Sequence, residues 1–493
     1  MNDIKIEKLD NQGRGICYID SKITFVKNAL PGEFVNLRII KETKKYNEAV
    51  VTKYLTKSSK RIPSLCPYAD KCGGCPLLTM NYEDTLVYKK EKLEDIFYKY
   101  THLTMDIPII ANPNPLHYRN KITLKVINSS YGYYESSSHD FIKITTCYLA
   151  SPEINDVIKN LKYLNLQNGE VTIRSNYHQE LLIWLKTTEN PKIDINSLKN
   201  NHKIVGIILN DQTIYGENKF VEIINNYFYT VSYDSFFQIN RYVCSLIFDE
   251  LKKYVNKNEV ILDLYCGVGT LGISVSKNTR KIYGIEIVKN AILNAVSNAQ
   301  INKVANAYYM LGNTSKVLPQ IKDQIDTIIV DPPRSGLDKT SLKTIIAFKP
   351  TKIIYISCDP ITLARDLKEL LNFYEIKTLK GFDMFSYTYH VETVVQLVRK
   401  RPDTYIDITV DMDELDLTSS EAKATYDEIK DYIFDKHRVK VSSLYVAQVK
   451  QKHGIIERDC YNNSKKETPN QPQCPPEKVK LIEEALRHFK MIP

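Results

Sequence analysis

The sequence predicts a multidomain protein of mixed α/β and β class. It comprises a small β-barrel, a β-rich domain with clustered cysteines, a doubly wound Rossmann-like domain and a small helical module. Three observations carry this. At 493 residues the chain is too long for one hydrophobic core. From Ser232 to about Arg401, β-rich runs alternate with helical segments, which implies right-handed βαβ units and a parallel sheet. Ahead of that stretch, short apolar–polar alternation prevails, the period of half-buried strands.

The elements follow in order. Residues 1–60 alternate in short runs broken by Gly13, Gly15 and Pro31-Gly32, which predicts a small antiparallel barrel. Residues 61–230 form the second domain. It opens on a cysteine-rich knot at Cys66–Cys75 and a polar helical stretch reaching about Tyr100, then turns mostly β from Tyr118 to about Phe228. Residues 231–402 carry the doubly wound pattern, with strands expected at Val260–Tyr265, Lys281–Glu286, Thr327–Val330 and Lys352–Ser357. Residues 403–493 close the chain, with helices expected from Ser419 to about His437, around Ser442–Lys452 and over Glu477–Phe489.

Composition bounds the setting. Hydrophobic content of 43% supplies ample material for cores, and no apolar stretch approaches 18 residues, so no membrane partner is expected. The amino terminus has no secretory pattern, so a cytoplasmic location is expected. The ten cysteines then read as reduced thiols, metal ligands or nucleophiles rather than disulfides. Net charge is +9, but residues 403–493 carry 14 Lys and Arg against 17 Asp and Glu. The body is therefore basic and suits a polyanionic partner such as RNA.

The buried run Val260–Leu264 enters Tyr265-Cys266-Gly267-Val268-Gly269-Thr270-Leu271-Gly272, a strand–glycine turn–helix signature for a nucleotide. Glu286 ends the next strand about 20 residues on, placed for a ribose hydroxyl. Alone, this suits a dinucleotide dehydrogenase equally. Two later strand ends favour a methyl donor: Asp331-Pro332-Pro333-Arg334 and Ser357-Cys358-Asp359-Pro360. In an open parallel sheet Asp263, Glu286, Asp331 and Cys358 converge outside the strand ends, and no second nucleotide half follows. A strand starting near Glu392 and continuing through Val394–Val398 brings a carboxylate to the same rim. A thiol and a carboxylate together suit covalent addition to a ring followed by proton removal, with Arg365 placed to favour the thiolate.

Five motifs in order and spacing resemble the RNA uracil-C5 methyltransferases over roughly residues 1–400. They are Phe236-Phe237-Gln238-Ile239-Asn240, Asp263–Gly269, Asp331–Gly336, Ser357–Pro360 and Asp383-Met384-Phe385 with His390-Val391-Glu392. The resemblance implies transfer of a methyl group from S-adenosylmethionine to carbon 5 of a uridine. It implies Cys358 as nucleophile, Glu392 as the proton-abstracting base, and methyl-donor contacts by Gln238, Tyr265, Glu286, Asn313 and Asp331. Two departures stand out. Phe385-Ser386-Tyr387-Thr388 replaces the family's usual Phe-Pro-(His/Gln)-Thr, and Asn313 stands where many relatives have Asp. Cytosine-C5 methylation is the rival enzyme reading, but its Pro-Cys element is absent; the non-enzymatic rival is an RNA-binding iron–sulfur sensor.

Cys66-x5-Cys72-x2-Cys75 with Gly73-Gly74 and the distant Cys147 offers four thiols, for a 4Fe–4S cluster or an all-cysteine zinc site. Three clustered cysteines and one distant partner favour iron–sulfur, as does similarity to the ribosomal-RNA branch of the family. That branch also makes 23S rRNA the expected partner ahead of transfer RNA, and a monomer is expected. Residues 1–60 resemble the TRAM-like barrel preceding such enzymes, with Lys41, Lys44, Lys45 and Tyr46 offered to RNA. His117–Lys121 matches a family motif suited to phosphate or a flipped base. In the last module Lys436, Arg438, Lys440, Lys450 and Lys452 are candidate RNA contacts, set against the acidic Asp407–Asp416.

Overall fold

A computed structural model describes residues 3–135, 138, 140–200, 202–400, 426–453, 455, 473–489 and 491–492. The chain divides into two compact units, Met1–Asp403 and Thr404–Pro493.

The first unit opens with a six-stranded sheet ordered Ile4–Lys5, Phe34–Glu42, Asn47–Thr56, Lys22–Lys27, Gly15–Ile19, Lys8–Leu9. Ile6, Cys17, Val26, Ala29, Val35 and Ala49 fill its core. It is not wholly antiparallel as the turn spacing suggests: Lys22–Lys27 pairs in parallel with Asn47–Thr56. The connection between those two strands passes through Phe34–Glu42, and a strand that returns after an intervening one takes the parallel sense.

A helix, Tyr82–Thr101, follows the cysteine region, capped by Asn81, whose side chain accepts from the Asp84 N–H. Its buried face, including Leu93, Ile96 and Phe97, joins a core with Leu262, Ile328 and Ile353 and lies against the helix Pro360–Leu370. Next comes a seven-stranded sheet ordered Phe141–Lys143, Ser130–Tyr134, Lys121–Ile127, Gly169–Ser175, Leu181–Lys186, Ile204–Leu209, Gln212–Gly216. Ile122, Leu124, Val171, Ile173 and Ile183 alternate to its buried face. The hairpin Lys219–Ile224 and Tyr227–Ser232 then packs on the helix Arg241–Tyr254.

The largest sheet has eight strands: Ala307–Leu311, Lys281–Glu286, Val260–Leu264, Thr327–Val330, Lys352–Ser357, Glu392–Arg399, Tyr374–Phe382 and Ile109–Ile110. Three expected strands appear with the same bounds, and the fourth stops at Leu264. The first five run parallel, as the βαβ pattern demands. The sheet is nevertheless mixed, because Glu392–Arg399 inserts antiparallel between Lys352–Ser357 and Tyr374–Phe382. No helix separates those last two strands, so they can pair only as a hairpin-like antiparallel set. Ile109–Ile110, from far upstream, closes the edge.

Among the described residues of the second unit, the helices Tyr426–His437, Ser443–Lys452 and Pro476–His488 pack around Ile429, Ile433, Val446, Ile482 and Leu486. The expected helical start Ser419–Thr425, the acidic Asp407–Asp416 and Cys460 lie outside the described residues. The lysines expected to face RNA are largely engaged within this bundle. Lys436 pairs with Glu484 at 2.7 Å and Lys452 with Glu483 at 3.4 Å, while Lys450 is buried. Among the described residues no helix is long and apolar enough to cross a membrane.

Candidate functional site

The carboxyl ends of adjacent parallel strands deliver most candidate residues to one rim. Val260–Leu264 ends at Tyr265, held at φ +60, and turns through Gly267 at φ +53 and Gly269 at φ +83. A Cβ on Gly269 would stand 2.6 Å from the Tyr309 hydroxyl, so this turn requires glycine by both dihedral and space. Glu286 ends the neighbouring strand. Its carboxylate accepts from the N–H groups of Gly267 at 3.2 Å, Ile287 at 2.8 Å and Val288 at 2.9 Å, so it braces the glycine turn.

Asp263, fully buried, accepts from the Gly272 N–H at 2.9 Å, yet burial pushes its carboxyl up to about 7, with Asp331 and Glu286 adding to the rise. The Tyr265 hydroxyl reaches Ser341 Oγ at 3.4 Å. Asn313 follows the Ala307–Leu311 strand; it is exposed, and its carbonyl accepts from the Lys316 and Val317 N–H groups at 3.0 Å each. Gln238 approaches from outside the sheet, half-buried, its carbonyl held by Asn120 Nδ2 at 3.1 Å. Two residues on, Asn240 caps the helix Arg241–Tyr254 and donates through Nδ2 to the Met384 carbonyl at 3.1 Å.

Register sets the two reactive candidates side by side. Ser357 and Thr393 are partners across antiparallel strands, so the next residue outward on each, Cys358 and Glu392, are neighbours at the rim. Asp359 then caps the helix Pro360–Leu370, accepting from Ile361 N–H at 2.9 Å and Thr362 N–H at 3.1 Å, with Pro360 at the first helical position. Burial pushes the Cys358 thiol up to about 11; Glu392 and Asp331 add to this, while the Arg334 charge and hydrogen bond oppose it. Glu392 is 3% exposed, and burial, then Asp331, hold its carboxyl well above the usual range against the pull of Arg334. Burial lifts Asp331 to about 7. These four groups thus form one electrostatic set.

The expectation that Arg365 favours the thiolate is corrected here. Its guanidinium is spent on Asp366 at 2.7 Å and on the Ser335 carbonyl at 3.0 Å, one helical turn past the rim. Arg334, which closes the run Val330-Asp331-Pro332-Pro333-Arg334, takes that role, and nothing in the sequence pairs it with Cys358. Even with Arg334 beside it, the thiol stands above its ordinary value, where a nucleophilic cysteine is expected below it. His390 is kept neutral, down to about 4, by burial and then by Arg334, Lys92, Lys89 and Arg119.

A buried cation lies beneath this rim, and no motif signals it. Lys89 and Asp383, both 0% exposed, form an ion pair, and Asp383 also accepts from the Tyr82 hydroxyl at 2.6 Å.

Cys66, Cys72, Cys75 and Cys147 are free and half-buried; burial raises the first three thiols, and Cys147 lies close enough to add to each. Cys75 is pushed up to about 12, first by burial, with Arg119 opposing and the other three thiols adding. The distant Cys147 is delivered by Asn155, which accepts from its N–H at 2.7 Å and donates to its carbonyl at 3.0 Å. Among the described residues no three Cys, His, Asp or Glu side chains close tightly enough for a single metal ion. Arg119 leans on this knot, and Tyr118 is buried, so these two do not offer themselves to phosphate as the motif suggests; His117 remains exposed. On the first sheet Lys41 pairs with Glu48 at 3.6 Å and lies over the Tyr46 ring at 6.0 Å, while Lys44 and Lys45 are exposed.

Comparison with known proteins shows the family. The family described as tRNA (Uracil-5-)-methyltransferase matches residues 81–311 and 317–400, and the TRAM domain matches residues 2–52. An RNA methyltransferase of Caldanaerobacter subterraneus subsp. tengcongensis is 32% identical over 446 residues, 80% of this chain and 98% of that one. One from Clostridium tetani is 30% identical over 438 residues, covering 80% and 95%. Among solved structures, the Pyrococcus abyssi tRNA (uracil-54, C5)-methyltransferase in complex with S-adenosyl-L-homocysteine superposes with TM-score 0.68 at 26% identity, covering 81% of this chain and 100% of that one. With its glycine turn, carboxylates and thiol at one sheet rim, the chain belongs to the tRNA (Uracil-5-)-methyltransferase family and is an S-adenosylmethionine-dependent RNA methyltransferase.

Proposed function

We propose that the enzyme methylates carbon 5 of a uridine, 23S rRNA being the favoured RNA, through a covalent bond from Cys358 to carbon 6. The observation that carries this is the register placing Cys358 beside Glu392, within reach of Asp331 and Arg334. S-adenosylmethionine supplies an electrophilic methyl group. Uracil C5 is a weak nucleophile until a thiolate adds at C6, which makes it enolate-like and able to take that methyl. Glu392 then removes the C5 proton, the C5–C6 double bond reforms, and the Cys358–C6 bond breaks to release thiolate. Gln238, Tyr265, Glu286, Asn313 and Asp331 line the methyl-donor side in this reading. Arg334 draws both the thiol and the Glu392 carboxyl toward their charged forms. The base must leave its stack to enter, so a loop or flipped uridine is the substrate.

The test is one denaturing gel. Cys358→Ala should bind RNA and methyl donor and form no covalent species. Glu392→Gln should add and methylate but stall, leaving a protein–RNA adduct that survives denaturation. A Glu392→Gln enzyme that turns over normally would show that the base lies elsewhere.

The four half-buried thiols near Arg119 are the donor set we assign to a 4Fe–4S cluster, three from one knot and one from a distant segment. Its part is structural, since methyl transfer moves no electrons. Anaerobically purified protein should be brown, with about four irons per chain, and Cys72→Ser should bleach it; stoichiometric zinc without iron refutes the assignment. The knot and first sheet favour ribosomal RNA. The alternative is transfer RNA, favoured by the Pyrococcus neighbour's own substrate. Mapping 5-methyluridine in both RNAs of a deletion strain separates the two. A cytoplasmic monomer completes the proposal.

A further inference from the structure

The segment Asp383–His390 leads from the strand Tyr374–Phe382 into Glu392, and other parts of the chain hold its carbonyls almost one by one. Asn240 Nδ2 donates to Met384 O at 3.1 Å, Lys89 Nζ to Phe385 O at 3.0 Å, and the Tyr118 hydroxyl to Ser386 O at 3.2 Å. The Leu77 N–H donates to Tyr387 O at 3.1 Å, and Lys92 Nζ to Tyr389 O at 2.7 Å. Two of these donors are ammonium groups one turn apart on the helix Tyr82–Thr101, Lys89 at 0% and Lys92 at 8% exposure. Burying an ammonium costs far more than burying the methionine or leucine that would fill the same space. A loop that needed only packing would not use two lysines. Both reach backbone oxygens of the turn that ends shortly before the proposed base, and the same helix lies against the helix that follows Cys358.

We propose that Lys89 and Lys92 are positioning residues for the elimination step. They fix the turn Phe385–Tyr389, so that the Glu392 carboxylate meets the C5 proton once the methyl group is in place. Loss of that alignment slows the proton's transfer to Glu392, and with it cleavage of the Cys358–C6 bond, while thiol addition and methyl transfer proceed. This rests on the assignment of Cys358 and Glu392 above. Lys92 is the better probe, because removing Lys89 would strand the buried Asp383 carboxylate.

Lys92→Met should therefore be examined by single-turnover kinetics, following methyl incorporation and covalent adduct together in the full-length enzyme. Elimination should slow by roughly tenfold or more while methyl transfer and the affinities for RNA and S-adenosylmethionine change by less than about twofold. A methylated adduct should accumulate, and Lys92→Arg, which can still donate to the carbonyl, should largely clear it. A merely structural lysine would lower all steps and the melting temperature together, and that result overturns the proposal, as does product release at the wild-type rate. Glu392→Gln is run alongside. If it stalls and Lys92→Met does not, the positioning role alone is wrong; if neither stalls, the assignment of Glu392 falls too.

Discussion

Arg334 is the cation that faces the proposed nucleophile, Cys358. Burial and two carboxyls push Cys358 up to about 11, and Arg334 is the opposing cation. The sign is direct: a positive charge favours thiolate, so its removal raises the thiol pKa further and lowers the thiolate fraction at every pH below it. In RNA-free enzyme, iodoacetamide should label Cys358 increasingly fast as pH rises from about 7 toward 10. Arg334→Met should be slower throughout, by roughly tenfold for each unit by which the thiol pKa rises. An unchanged labelling rate would remove Arg334 from this role. The same substitution raises Glu392, so elimination should suffer as well.

Asn240 illustrates how one side chain serves two elements. It caps Arg241–Tyr254 by accepting from the Tyr242 and Val243 N–H groups at 3.2 Å each, and it donates to Met384 O at 3.1 Å. Loss of the cap costs about 1 kcal/mol, and an unsatisfied buried carbonyl costs about 1–3 kcal/mol more. Asn240→Ala should lower stability by about 2–4 kcal/mol in urea unfolding with the slope unchanged. Asn240→Asp keeps the cap's acceptor but loses the donor, so it should fall between; equal stability of wild type and Asn240→Asp would discount the link to Met384. The strand ends were readable because fully buried parallel strands are continuous apolar runs, as in Ile353–Ile356. Ala307–Leu311 went unread because it is an edge strand with no buried residue and no apolar alternation.

Across the chain as a unit, every candidate catalytic, methyl-donor and cluster residue lies in Met1–Asp403, and the second unit has its own core of Ile429, Ile433, Val446, Ile482 and Leu486. A chain ending at Asp403 should fold and bind S-adenosylmethionine within about twofold of full length by calorimetry. A larger loss would show that the helical unit contributes to the methyl-donor site. RNA affinity is a separate measurement, since it follows the basic surface and its salt dependence.

The candidate residues were legible without any structure, namely the glycine turn, Glu286, Asp331, Cys358 and Glu392, as were the four strands that present most of them. Such features are local, because a turn that needs φ above zero or a strand buried on both faces selects its own residues. Which cation faces the thiol was not local. By spacing Arg365 is the nearer cation, and only the end of the Thr327–Val330 strand, lying beside Lys352–Ser357, brings Arg334 to Cys358. The same holds for Lys89 and Lys92. Each looks like an ordinary surface cation in a polar stretch. Each becomes a buried partner of residues distant in sequence once the first helix packs against the base-bearing segment. Periodicity encodes which face of an element is apolar. It does not encode which long polar side chain will cross to a carbonyl in another element, and that choice is made when the elements pack.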